Sequence, residues 1–301
     1  MIVRGSAEGQ NPPMTSLFTR APRTRALIVG CLFCLLLTGC SATQLIYNRV
    51  DILIRWYLDD YVTLTADQQS RFDDRLDHLL AWHRAEELPA YIEIIDCSEA
   101  ALDEGVPLAS AYQIAGDIEM AFNRLEQPFL TLLLETGMDL EADQLAEFVE
   151  VLAAKQSEFE EDRLTRDDEE YRTDLEERVE DQLDDYLGPL TGEQRARIAE
   201  GVAEMTRLDR FWLEDRKVWI NELAHILSSD QPDWPDQVRT LIDGREAAQL
   251  PAYREGIEHN GDVILVMLRD VIAERTPRQD RKIRSRLSSL RDDFAILTGQ
   301  S

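Results

Sequence analysis

The chain contains 301 residues, of which 59 are acidic and 32 are basic, so its formal net charge at pH 7 is −27. This balance excludes nucleic acid as a natural partner, because phosphate backbones are bound by clustered lysine and arginine. The one locally basic stretch lies between Arg275 and Arg291. We expect this stretch to pair with acidic neighbours in the fold, and contact with anionic lipid head groups is the alternative.

A short apolar run near the start of the chain is typical of a secretory leader. Three arginines precede residues 26–37, which are almost entirely apolar, and Leu37-Thr38-Gly39-Cys40 closes the run. That tetrapeptide resembles the lipobox at which bacterial lipoproteins are cleaved and acylated. The run is shorter than the roughly 18 to 20 residues that span a bilayer, so we expect it to be removed. An ordinary apolar cysteine in a leader or membrane anchor is the alternative.

The lipobox resemblance implies an address for the mature chain. It makes Cys40 the lipidated first residue, and three acyl chains on one residue attach a protein to a membrane almost irreversibly. In lipoproteins of Gram-negative bacteria, aspartate after the cysteine is a signal for retention at the inner membrane. Ser41 takes that place here, which favours the periplasmic face of the outer membrane. The expected regions are a signal peptide at 1–39, with an alternative start at Met14, a lipidated tether at 40–44 and a single all-helical domain at 45–301.

Removal of the leader leaves Cys97 as the only cysteine besides Cys40. No intrachain disulfide is therefore expected, although periplasmic proteins often contain them. We interpret Cys97 as a half-buried small apolar residue, and a reactive or intermolecular thiol is the alternative.

The residue pattern predicts an all-α fold, an elongated multi-helix bundle. Glycine and proline supply only 18 of the 262 residues from Cys40 onward, so turns are few and helices are long. Gly188 and Pro189 end one strong helical pattern just before the next begins, which predicts a long antiparallel hairpin of about 141–187 and 191–229. The expected helices are 45–61, 65–101, 107–136, 141–187, 191–229, 235–274 and 277–297.

Several helix starts carry the same short motif. Residues 58–68 and 183–194 both read Leu-Asp-Asp-Tyr followed by Leu-Thr-x-x-Gln, and 140–144 is a weaker copy. The threonine and glutamine have the spacing of a capping box, in which each side chain binds a free backbone amide at the helix start. We interpret the copies as recurrent helix-start chemistry, and an ancient duplication is the alternative.

Two features are expected to interrupt the long helices or to expose them to solvent. Pro89, Pro128 and Pro251 fall inside helical patterns and should kink or split them. Between Ala154 and Tyr171 apolar positions nearly vanish. We interpret this acidic run as a solvated face, and a loop that divides the helix or a cation site are the alternatives.

A dense polar and aromatic cluster follows the predicted anchor. Asp51, Arg55 and Asp59 recur every four residues and are expected to form a ladder of ion pairs on one helix face. Few residues separate this helix from Cys40, so its aromatic rings are candidates for the membrane interface. We nevertheless favour core packing between the first two helices for these rings. The residues predicted for an interaction or membrane-proximal role are Arg49, Asp51, Arg55, Trp56, Asp59, Asp60, Trp82 and His83.

An apolar seam at residues 198–226 is interrupted by two charged residues, Asp209 and Arg216. Buried charges need partners, so we expect a polar network there before a ligand. The sequence predicts no catalytic, cofactor-binding or metal-ligating residues, because the histidines lack zinc-site spacing and no phosphate-binding glycine loop occurs.

Two resemblances bear on function. Residues 47–51, 56–68 and 82–89, which read YNRVD, WYLDDYVTLTADQ and WHRAEELP, resemble an uncharacterised family of Gram-negative lipoproteins defined only as a domain of unknown function. That resemblance implies a location and no activity. The Leu-Thr-x-x-Gln segments are similar to those of small helical periplasmic chaperones of the spheroplast-protein type, although those proteins are shorter, soluble and carry a basic cradle.

These observations predict a membrane-anchored periplasmic lipoprotein without enzymatic activity, which binds envelope proteins or lipids or helps them assemble. The second hypothesis is a periplasmic chaperone or envelope-stress protein. The third is an enzyme that acts on peptidoglycan or lipid. The sequence predicts no cofactor and leaves the oligomeric state open.

Overall fold

The computed structural model describes residues 42–229 and 231–299, and these residues form packed helices with no β-strand. This confirms the predicted all-α class. Numbered in chain order, the helices are α1 (Ala42–Tyr47), α2 (Val50–Asp59), α3 (Ala66–Trp82), α4 (Leu88–Asp103), α5 (Leu108–Met138), α6 (Ala142–Thr165), α7 (Asp168–Leu187), α8 (Gly192–Glu204), α9 (Asp209–Leu227), α10 (Trp234–Asp243), α11 (Arg245–Ala248), α12 (Pro251–Ala273) and α13 (Pro277–Leu297). A π-helical turn, His83–Glu87, joins α3 to α4.

The start of the described chain is helical and docked, so the predicted tether at 40–44 is too long. Helix α1 begins at Ala42 and packs against α13. Its Gln44 Nε2 donates to Oδ1 of the buried Asp293 at 2.6 Å. The predicted leader, the start at Met14 and the lipidation residue Cys40 lie outside the described residues.

The predicted hairpin forms, but both of its arms are broken. Helix α7 packs on α8 across the turn at Gly188, and α6 packs on α9. The first arm breaks at residues 166–167 and the second at 205–208, so the expectation of two continuous helices is wrong. Arg207 bridges the two breaks, because its Nη2 donates to the carbonyls of Arg163 and Arg166 at 2.9 and 3.0 Å. The acidic run therefore contains the dividing loop that was the alternative interpretation.

The three internal prolines have different outcomes. Pro251 begins α12, which splits the expected helix 235–274, and Pro89 lies just after the π-helical turn. Pro128 lies inside the continuous α5, so it does not split this helix. Helix α5 packs on α3, α4 and α12, and this packing keeps it continuous despite the lost backbone hydrogen bond.

The capping glutamines meet in pairs, which the sequence did not predict. Gln194 and Gln279 each accept the backbone N–H of their own helix cap at 2.9 and 2.8 Å. Their amides also bind one another, with Gln279 Nε2 donating to Gln194 Oε1 at 2.8 Å. Gln68 and Gln144 form the same arrangement, with amide contacts of 2.8 and 2.9 Å. Each pair therefore joins the starts of two helices that are 76 or 85 residues apart.

The apolar seam belongs to two separate cores because of the break in the second hairpin arm. Ile198 and Val202 pack with Leu187 and Val271 in a core built mainly from α7, α8, α12 and α13. Leu223 instead belongs to a core that lies between α5, α6, α9 and α10. The second core surrounds the candidate site.

The basic stretch of α13 pairs with acidic neighbours, as predicted. Arg291 Nε lies 2.7 Å from Oδ1 of Asp96, and Arg284 Nη1 lies 2.8 Å from Oδ1 of Asp103. Both acids lie on α4, so these ion pairs bind the two helices together. Cys97, on the same helix, is exposed, so the expectation that it is half-buried is wrong.

Candidate functional site

Helices α2, α5, α6, α9 and α10 converge on an apolar cavity of about 220 Å³. The accessible surface of this cavity is almost entirely apolar, so it suits an apolar ligand. Its lining is dominated by large apolar side chains, among them Leu58, Phe129, Leu133, Phe148, Trp219 and Leu223.

Gly137 shapes one wall of the cavity. A Cβ atom added to this glycine would lie 2.8 Å from Cη2 of Trp234, closer than real Cβ contacts allow. The indole of Trp234 therefore lies against the backbone of α5, and both residues line the cavity. A larger residue at position 137 would displace the indole.

Arg216 places a charge at the edge of this apolar space. The side chain lines the cavity and is 3% exposed. One of its Nη1 hydrogens is donated to Oε1 of the buried Gln156, and its guanidinium lies 5.0 Å from the ring centre of Phe159. Burial lowers the pKa of Arg216, and the neighbouring charge of Arg245 lowers it further. Among the described residues no carboxylate lies within ion-pair distance of Arg216.

Arg245 is the second buried guanidinium of the cavity, with 6% of its surface exposed. It differs from Arg216 because its Nη2 lies 3.0 Å from Oδ2 of Asp215. Its guanidinium also lies 5.2 Å from the ring centre of Trp219. The charge of Arg245 is therefore compensated within the fold.

Two tyrosines, one on α2 and one just after it, add hydroxyl groups beside these arginines. The hydroxyls of Tyr57 and Tyr61 are 2.8 Å apart, and both rings line the cavity. Burial, followed by the hydrogen bond to Tyr61, raises the pKa of Tyr57, so the phenol is neutral at physiological pH. Arg216 lies close enough to both tyrosines to interact with them electrostatically. The polar groups of the cavity are therefore neighbours, and an anionic group can be bound among them.

The predicted ion-pair ladder on α2 forms only in part. Arg55 Nη2 lies 3.3 Å from Oδ2 of Asp51, as predicted. Its Nε lies 2.8 Å from Oδ1 of Asp73 on α3 and not beside Asp59, which is exposed. Arg55 thus joins α2 to α3, and we assign these residues to helix packing.

The remaining predicted cluster residues separate into an exposed group and a half-buried group. Trp82 and His83 are half-buried at the end of α3 and the start of the π-helical turn. Nδ1 of His83 lies 2.7 Å from the Tyr47 hydroxyl, and Nε2 lies 3.2 Å from the Tyr91 hydroxyl. Burial lowers the pKa of His83 to about 4. The exposed residues of the cluster are Arg49, Trp56, Asp59 and Asp60.

The outward faces of α1 and α2 carry large apolar side chains. Trp56 is 66% exposed, Leu45 is 62% exposed and Leu53 is 45% exposed. Core packing was the favoured interpretation of the aromatic rings, and the exposure of Trp56 shows that it is wrong for this residue. This exposed apolar face lies within 16 residues of Cys40 in the sequence.

Sequence reasoning did not identify the cavity. It singled out Arg216 only as an interruption of an apolar seam and expected a network between Arg216 and Asp209. Asp209 instead pairs with Arg207 and Arg163, at 3.2 and 3.5 Å. The signal that was available is a charged residue at a core position with no complementary charge at helical spacing.

Over the described ranges, no helix is long and apolar enough to cross a membrane. In the same part of the chain, no group of three or more histidine, cysteine, aspartate or glutamate side chains is placed to hold a metal ion.

The site and the fold define an all-α protein with an internal apolar cavity that buried arginines border. Residues 60–254 match the model of a family described as a family of unknown function, DUF6279, and the chain belongs to this family. No curated protein and no solved structure matches the chain significantly.

Proposed function

We propose that this chain is a lipid-anchored binding protein of the cell envelope, with its helical body held against the membrane. The observation that carries the proposal is the exposed apolar face at Leu45, Leu53 and Trp56, directly after the lipobox at residues 37–40. Exposed apolar patches mark interaction surfaces, and tryptophan favours the membrane interface.

The short distance between Cys40 and α1 supports this arrangement. Only Ser41 separates Cys40 from Ala42, and two residue steps of extended chain span at most about 7 Å. Helix α1 is itself fixed to the body by the hydrogen bonds of Gln44 and Tyr47. A lipid on Cys40 would therefore hold the body against the bilayer, with α2 close by.

The outer membrane is the proposed location, because Ser41 follows the cysteine. The proposed activity is binding without catalysis. The cavity supports it, because walls that are mostly apolar suit the binding of an apolar ligand better than the catalysis of a reaction. The proposed partners are envelope proteins or lipids.

The chaperone hypothesis loses its main support. The glutamines of the Leu-Thr-x-x-Gln segments, Gln68 and Gln194, are buried in amide pairs that join helices. These motifs therefore have a structural explanation in this chain, and they do not favour client binding.

Metabolic labelling with palmitate tests the anchor. The wild-type protein and a Cys97→Ser variant are expected to take up label, because Cys97 is not part of the Leu37–Cys40 motif. Cys40→Ser is expected to remain unlabelled and to accumulate as the uncleaved precursor. Unlabelled wild-type protein, with processing unchanged by an inhibitor of the lipoprotein signal peptidase, would refute the proposal.

Photo-crosslinking in cells tests the membrane contact. A photoreactive residue at position 56 is expected to crosslink to lipid, whereas one at position 164 is not. Leu164 is a matched control because it is also an exposed apolar residue, at 44%, but lies at the hairpin break. Equal lipid crosslinking at the two positions would contradict contact through α2.

A further inference from the structure

Among the described residues no carboxylate pairs with Arg216, whose guanidinium lies 5.0 and 5.8 Å from the ring centres of Phe159 and Trp212. Arg216 is 3% exposed, and its guanidinium donates a hydrogen bond to the neutral amide of Gln156. A buried charge is costly unless a counter-charge accompanies it. The neighbouring Arg245 has such a partner in Asp215 and so does not supply one to Arg216. The missing group is an anion, although the chain itself contains 59 acidic residues.

The space beside Arg216 accepts only an apolar body. Leucine, phenylalanine and tryptophan side chains from α5, α6 and α9 form its walls. An inorganic anion would leave this space unfilled, and an uncharged hydrocarbon would leave Arg216 without a counter-ion. A ligand that satisfies both conditions has an anionic head and an apolar chain.

The volume restricts the ligand to one chain. The cavity of about 220 Å³ is smaller than the roughly 300 to 1,000 Å³ of pockets that enclose drug-sized ligands. It therefore encloses the head and a segment of one acyl chain, the rest of which leaves through the open side of the cavity, and it has no room for the two chains of a phospholipid. A planar carboxylate also matches the fork of a guanidinium and can accept from the nearby phenols.

We propose that this cavity binds a single fatty-acid chain, with its carboxylate held by Arg216 beside Tyr57 and Tyr61. The inference deepens the proposed function, because it names the ligand of the binding protein. It does not depend on lipidation of Cys40, so palmitate labelling and ligand binding fail separately. A membrane-bound body would have this ligand within reach in the adjacent bilayer.

Tryptophan quenching by a brominated fatty acid tests the proposal. Trp219 and Trp234 line the cavity, so bromine atoms on a bound chain would come into contact with their indoles. The protein as purified from cells is mixed with vesicles of zwitterionic phosphatidylcholine and titrated with dibromostearate or with its uncharged methyl ester. Both probes enter the bilayer and quench Trp56 alike, so the difference between them reports the carboxylate.

We expect saturable quenching by the acid and about ten- to hundredfold weaker binding of the ester, the range for one charge-assisted hydrogen-bonded contact. Arg216→Met should reduce the affinity for the acid to that for the ester. Arg210→Met, an exposed arginine on the same helix, should bind like the wild type. Denaturation of the protein purified from membranes should also release a free fatty acid, which mass spectrometry would detect.

Three results would overturn the inference. Equal quenching of the wild type by acid and ester would show that the carboxylate is not recognised, and this comparison needs no variant to fold. Equal acid affinity in the wild type and in Arg216→Met would place the ligand elsewhere. If Arg216→Met does not fold, Arg216→Gln replaces it, and an acid affinity in that variant equal to that of the wild type would likewise place the ligand elsewhere.

Discussion

The pair formed by Gln194 and Gln279 predicts a specific loss of stability when one amide is removed. Gln194→Leu keeps the approximate volume of the side chain but removes all of its hydrogen bonds. The wild-type amide accepts the N–H of Thr191 at 2.9 Å, donates to the carbonyl of Val271 at 3.0 Å and accepts from Gln279 at 2.8 Å. Gln194 is fully buried, so water does not replace these partners.

The expected cost is about 3 kcal/mol, from three hydrogen bonds at about 1 kcal/mol each. Gln279 loses one partner in this variant but keeps the carbonyl of Pro189 and the N–H of Thr276. The double variant Gln194→Leu/Gln279→Leu should cost less than the sum of the two single variants, because each single variant already removes the hydrogen bonds between the two amides. For a protein of this size the single variant should lower Tm by about 6 to 12 °C.

Equilibrium urea unfolding, followed by circular dichroism at 222 nm, measures these free energies. Gln127→Leu is the matched control, because Gln127 is exposed on α5, and it should change stability by less than about 0.5 kcal/mol. A loss below about 0.5 kcal/mol in Gln194→Leu would show that the pair does not stabilise the fold. Strictly additive costs in the double variant would show that the two amides act independently.

Three further predictions concern other parts of the fold. The pKa of His83 is lowered from 6.5 to about 4, so between these pH values the unfolded chain binds a proton that the folded chain does not. The free energy of unfolding should therefore fall by up to about 3 kcal/mol as the pH drops from 7 to 4. In urea unfolding, His83→Gln should remove this part of the pH dependence, and a pH profile unchanged from the wild type would refute the assignment to His83. Arg124→Ala should lower the free energy of unfolding by about 3 kcal/mol, because it leaves the buried carboxylate of Glu87 without its ion-pair partner. Arg291→Ala removes only an exposed ion pair and should cost less than about 1 kcal/mol, and equal costs in urea unfolding would contradict this reasoning. Gly201→Val should lower Tm, because even a Cβ there would lie 2.6 Å from the sulfur of a buried methionine, and a Tm at or above that of the wild type would show that the helices separate freely.

Local sequence signals predicted most of the helix starts. Thr65 and Thr191 cap helices as expected, because a capping box depends on residues only three apart. The pairing of Gln194 with Gln279 could not be read in this way, since it joins residues 85 apart. Recurrent helix-start chemistry was therefore the right interpretation for each copy taken alone, but it did not reveal the contact between copies.

Features that depend on distant contacts were missed. The hairpin breaks are held by the tertiary contacts of Arg207, and residues 166–167 and 205–208 themselves contain no glycine or proline to mark them. The cavity was missed for a related reason. Leucine and phenylalanine residues that line a cavity recur along a helix with the same periodicity as those that fill a core, so the sequence pattern does not distinguish the two. Exposure of Trp56, in contrast, follows from the narrow apolar face of a short helix.

The attachment of α1 to α13 determines how mechanical load would enter the molecule. Gln44 is bonded to Asp293, so tension applied at the amino-terminal end of α1 passes first into the helix Pro277–Leu297. That helix packs on α4 and α7, and none of these three borders the cavity. Tension from the proposed lipid anchor would therefore strain α13 before it deformed the cavity.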